Sequence, residues 1–132
     1  MKRKISVAIG LFLVLVLVVG CATFKQNTYK TFYALGTTYD VAMKSVNDLK
    51  NMGKISDAQL SEIMKLANVY YVAYHAGVDA FETYNITGSA SDQDKLKVAL
   101  ADIAIKLAKV VDYVNRLRTN VGISPIKTGG IK

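Results

Sequence analysis

The chain predicts an all-α fold, an antiparallel up-down-up three-helix bundle, and three observations lead there. A single proline, Pro125, occurs in the whole chain, close to its end. Apolar residues recur at three- and four-residue spacing through three long segments, the period of a helix face. Short clusters of glycine, serine and asparagine separate those segments. The bundle is expected over residues 28–121, behind an N-terminal segment of different character (1–20), a short linker (21–27), and ahead of a flexible basic tail (122–132).

The N-terminal segment opens Met1-Lys2-Arg3-Lys4 and continues ISVAIGLFLVLVLVVG over residues 5–20, where Ser6 is the only polar side chain. A basic head, an apolar stretch and small residues at its close have the layout of a secretory signal peptide. A transmembrane helix needs about 20 apolar residues to cross about 30 Å of hydrocarbon. The 16 residues here span roughly 24 Å at about 1.5 Å each, short for a span and sufficient for a signal. An uncleaved signal anchor is the competing reading.

Val18-Val19-Gly20-Cys21 resembles the lipobox of bacterial lipoproteins. The resemblance implies a diacylglyceryl thioether on Cys21 and cleavage just before it. Cys21 would then be the first mature residue, often N-acylated as well with a fatty acid such as palmitate. Two or more acyl chains anchor a protein stably, whereas a single chain binds marginally. Cys21 is the only cysteine, so lipidation would leave no thiol for a disulfide, a metal site or nucleophilic catalysis. Position 22 is Ala, not the Asp that tends to hold such proteins at the inner membrane of enteric-type bacteria. That favours the outer membrane, facing the periplasm, with the inner membrane as the alternative.

The first helix is expected from about Thr28 to Asn51, with Tyr29, Phe32, Gly36, Tyr39, Met43 and Val46 on one stripe and Gly53 as the stop. The second begins at Ser56, with Gln59 completing a capping box. Its stripe is Leu60, Ile63, Ala67, Tyr70, Tyr74, Val78 and Phe81, fading at Tyr84–Gly88. The third is expected to be capped by Ser91, with Asp92 and Asp94 in a first turn that favours carboxylates. Its stripe is Leu96, Leu100, Ile103, Leu107, Val110, Val114, Leu117 and Val121. A second edge, Val98, Ala101, Ile105 and Ala108, suggests cover from two sides. Three such helices bury their stripes together most simply as a bundle, each about 38 Å long if about 25 residues. A hairpin pair that completes its core by homo-oligomerisation is the alternative.

The formal charge is +7; without Lys2, Arg3 and Lys4 it is +4. From Cys21 to Asp112 ten basic residues balance ten acidic ones, so the excess lies in Arg116, Arg118, Lys127 and Lys132. Those cations could meet another envelope protein, an anionic envelope polymer or lipid headgroups, the last at about 1 kcal/mol per basic residue. Nucleic acid is not an expected partner, because the body is neutral and carries no basic stripe interleaved with aromatics.

No constellation carries catalysis, and no enzyme activity is expected. His75 has Asp79 one turn later, but no serine or second histidine joins them. Metal binding would need two or three further ligands, and no metal or cofactor is expected beyond the lipid on Cys21. Tyr70, Tyr71 and Tyr74, with Tyr29, Tyr33 and Tyr39, form an aromatic belt that suits a core edge or a partner surface. Asn85-Ile86-Thr87 matches a glycosylation sequon and reads better as a helix-ending turn. The stretches TTYDVAMKSVNDLKNMGKIS and YVAYHAGVDAFETY resemble small helical proteins of unknown function from bacteria and phages. The expected role is structural or protein-interacting in the cell envelope. A phage- or prophage-encoded factor in superinfection exclusion or lysis, and a small-ligand binding bundle, are the alternatives.

Overall fold

Glycine follows the end of each described helix, and the local hydrogen bonding shows how. The computed structural model describes residues 21–127, with side chains from Thr23 onward. Among the described residues the secondary structure is three α-helices of 31 residues each: α1, Cys21–Asn51; α2, Asp57–Thr87; and α3, Ala90–Asn120. At the end of α1, Gly53 is left-handed (φ 66°). Gly53 N–H donates to Lys50 O and Lys54 N–H to Leu49 O, the paired bonds of a Schellman motif. Gly122 (φ 79°) repeats the motif after α3, with bonds from Gly122 to Thr119 and from Ile123 to Arg118. Gly88 (φ 60°) ends α2 with its N–H on Tyr84 O.

The capping box of α2 forms as expected: Gln59 N–H donates to Ser56 Oγ at 3.1 Å and Ser56 N–H to Gln59 Oε1 at 2.9 Å. The cap of α3 does not. Ser89, not Ser91, is the N-cap, and its Oγ accepts from Asp92 N–H at 3.1 Å. Asp92 answers by accepting from Ser89 Oγ and Thr87 Oγ1. These bonds, that from Thr87 foremost, hold its carboxyl below the usual range. Only Gly88 and Ser89 separate α2 from α3, which commits them to an antiparallel hairpin.

The expected linker over 21–27 is instead the first two turns of α1. Phe24 is fully buried, its ring 5.4 Å from Tyr84 in an edge-on contact, so these turns are held by packing. Each helix therefore runs about 46 Å, longer than the spacing of apolar residues suggested.

The core lies along α3. Leu96, Leu100, Ile103, Leu107, Val110, Val114 and Leu117 are all buried, joined by Ala104 and Val111. Val98 (71% exposed) and Ile105 face solvent, so the second apolar edge of α3 is not covered. They lie about half a turn from the buried arc, and both neighbouring helices pack on its other side. α2 and α3 approach most closely, α1 also packs on α3, and the backbones of α1 and α2 meet only sparsely. α1 buries Thr28, Thr31, Leu35, Thr38, Ala42 and Ser45, mostly small, and Ser45 accepts a hydrogen bond from Arg118 of α3. The wider α1–α2 seam is filled by rings: Tyr39 stacks on Tyr70 at 4.4 Å, and Phe32 meets Tyr74 and Phe81 at 5.5 and 5.7 Å. Gly77 sits where the three helices converge, its Cα facing Ile103 and the Phe32 ring.

Candidate functional site

Tyr70 and Tyr74 belong to the core. Tyr70 is 3% exposed, its ring between those of Tyr39 and Tyr74, and its buried hydroxyl has no hydrogen-bond partner among the described residues. Burial, with lesser help from Tyr74, Tyr39 and Asp40, pushes its ionisation well above that of ordinary tyrosine. Tyr74 is half-buried and donates to the Phe32 carbonyl across the seam at 3.4 Å. Burial raises its pKa as well. Both rings thus commit their faces to neighbours within the bundle. Tyr71, Tyr29 and Tyr33 do not: they stand on the surface, Tyr71 at 58% exposure with its ring 4.3 Å from that of His75. The expected belt splits into a buried half and a solvent-facing half. Spacing separates the α2 members, with Tyr70 and Tyr74 on the apolar stripe and Tyr71 about 100° beside it, but it misplaces Tyr29, which is expected on the α1 stripe and is 69% exposed.

His75 and Asp79 are exposed on α2. Among the described residues no group of three or more His, Cys, Asp or Glu side chains gathers to hold a metal. The two most developed surface depressions are open and lie away from Tyr70 and Tyr74. One is beside Ser91, Asp94, Lys95 and Val98; the other is bordered by Val41, Asp48, Arg118 and Pro125.

The basic residues at the C-terminal side divide by what they touch. Arg116 lies 3.5 Å from Asp112 and over the Tyr113 ring. Arg118 is a clamp: Nη1 donates to Ser45 Oγ on α1 and Nε to Ser124 O, each at 2.6 Å. Ile126 N–H donates to Asn115 Oδ1 at 2.7 Å while its side chain packs on the core. Residues 122–127 thus form a strap folded back across the α1–α3 groove, where a flexible tail was expected. Their sequence offered the signal only weakly, through Ile123 and Ile126 spaced among glycines and a proline. Lys127 borders the groove with Lys44, whereas Lys132 lies outside the described residues.

Val18, Val19 and Gly20 of the lipobox-like segment also lie outside the described residues. Cys21 is the first residue of α1. No described helix is long and apolar enough to cross a membrane. Comparisons with protein-family models, with curated proteins and with solved structures gave no match.

Proposed function

We propose that this chain is a lipoprotein of the bacterial cell envelope, anchored through Cys21, with a non-catalytic structural or protein-interaction role. The observation that carries this reading is the register of its N-terminal segment. A basic head and an uncharged sixteen-residue stretch that closes on Val-Val-Gly run directly into the chain's one cysteine. The anchor is the lipid on Cys21, and the bundle is what it displays. Support for a display role comes from the packing: Tyr70 and Tyr74 spend their surfaces on the core.

The partner surface in this reading lies at the end farthest from Cys21. Lys44, Lys127 and the clamp residue Arg118 gather there around the α1–α3 groove, with Arg116 nearby on α3. An envelope protein or an anionic polymer is the matching partner chemistry, by charge. The outer membrane, with the bundle in the periplasm, is the proposed location.

Replacing Cys21 by Ser in the full chain tests the reading. Metabolic labelling with a fatty acid should mark the native chain and leave the Cys21→Ser variant unlabelled, with the variant accumulating as the uncleaved precursor. Processing and membrane retention that survive the substitution would sink the proposal.

A further inference from the structure

The end of the bundle nearest Cys21 also holds the most exposed large apolar side chain among the described residues, Ile86, at 86% exposure. Its height in the bundle follows from the ring contact between Phe24 and Tyr84. Cys21 lies three residues beyond Phe24 along α1, about 4.5 Å, and Ile86 two residues beyond Tyr84 along α2, about 3 Å. Because the helices are antiparallel, both steps run toward the same end. Cys21 and Ile86 therefore sit at nearly the same level, on neighbouring helices.

Ile86 has no structural employment there. The turn is closed without it, by the Gly88 N–H on Tyr84 O and by the Thr87–Ser89–Asp92 hydroxyl and carboxylate bonds. Charge at this end is balanced, since Lys25, Lys95 and Lys97 stand against Glu82, Asp92 and Asp94. An apolar contact, not a basic one, is what this end can make.

We propose that the bundle stands end-on against the bilayer that holds its N-terminus, with Ile86 at the α2–α3 turn buried in the membrane interface beside Cys21. This rests on the anchored reading above, and deepens it by naming the surface that meets the lipid. It requires only that hydrocarbon begin at Cys21. A lipidated cysteine meets that condition, and so does an uncleaved apolar segment over residues 5–20. The contact of Phe24 with Tyr84 ties the start of α1 to the end of α2, so the turn stays at the level of Cys21.

The chain contains no tryptophan, so single-tryptophan reporters are free of background. Two are needed: Ile86→Trp at the turn, and Met52→Trp at the opposite end, where Met52 is exposed beside the α1–α2 loop. Each full-length variant is purified from membranes and reconstituted in vesicles of phosphatidylethanolamine and phosphatidylglycerol carrying brominated acyl chains. Circular dichroism checks that the helices are intact. The expected result is a blue-shifted, bromine-quenched indole at position 86 and an unquenched, water-like one at position 52. If the protein is in the vesicles and neither indole is quenched, the end-on contact is wrong while the anchor stands. Equal quenching at both positions would mean that the bundle lies flat, which also overturns it. Failure of both variants to remain with the vesicles would remove the anchored reading itself.

Discussion

Two glycines one seam apart respond oppositely to the same methyl group, and the difference shows how tightly each helix is seated. A Cβ at Gly77 would intrude on Ile103 Cδ1 and stand 3.2 and 3.3 Å from two atoms of the Phe32 ring. Helix propensity would favour alanine by about 1 kcal/mol, but overpacking at a closed junction costs about 1–3 kcal/mol. At Gly36 the added methyl meets only Tyr74 Oη at 3.7 Å, an ordinary contact. Gly77→Ala should lower the urea midpoint and Gly36→Ala should raise it; the same sign for both would show that the convergence point is looser than described. Tyr70 gives a second test. Its hydroxyl is buried without a partner, a situation that costs about 1–3 kcal/mol. Its pKa in the fold lies above the ordinary 10.0, so the stability it contributes is present below pH 10 and drains away as pH rises above that value. Tyr70→Phe should therefore match or exceed the native chain in stability at pH 7, and retain more of it above pH 10. Thermal melts across that range would expose the error if the variant were weaker throughout.

Helices were legible in the sequence wherever one residue type decides a local geometry. Ser56 and Gln59 announced the start of α2, and Gly53 and Gly88 lie just past the helix ends, as their left-handed backbones require. The stripe of α3 was legible too, because seven branched or long aliphatics at helical spacing have few other uses. What stayed hidden depended on partners distant in sequence. Cys21–Asn27 contains Lys25, Gln26 and Asn27 and has little apolar pattern of its own; it is helical because Phe24 finds Tyr84. The polar positions of α1, with Thr28, Thr31, Thr38 and Ser45 all buried, read as solvent-facing until the packing of the bundle is known. The strap was hidden for the same reason, since its anchor, Arg118, reads as one more surface cation. Arg118→Ala should free residues 122–127 and the facing part of α1. The expected cost is about 1–2 kcal/mol for bonds from a charged donor at a half-buried site, with faster amide exchange over residues 41–48. Unchanged exchange there would mean that the strap does not hold α1.

The molecule as a whole is a post with two unlike ends. One end offers Cys21 and Ile86 over balanced charge; the other offers Arg118, Lys44, Lys127 and the groove under the strap. Charge counting found the basic end and left its geometry open, because the strap turns part of that charge inward. Deleting residues 122–132 would remove Lys127 and Lys132 together with the strap, so a loss of partner binding in that deletion would not by itself identify those cations as the contact. The other end divides in the reverse way: the proposed anchor is read from Val18–Cys21 alone, while the shape around it depends on the contact of Phe24 with Tyr84.

If Cys21 carries the proposed lipid, a helix already formed at that residue has a consequence for how such a molecule would search for a partner. A tethered domain on a flexible linker explores a volume that grows with the linker, and its effective concentration is spread through that volume. With α1 helical from Cys21, a lipid there would leave no linker to create such a volume. The far end would glide parallel to the membrane in a thin layer about 45 Å above the attachment point, so its local concentration is high within that layer and negligible elsewhere. Selection among partners would then be made by altitude before it is made by chemistry.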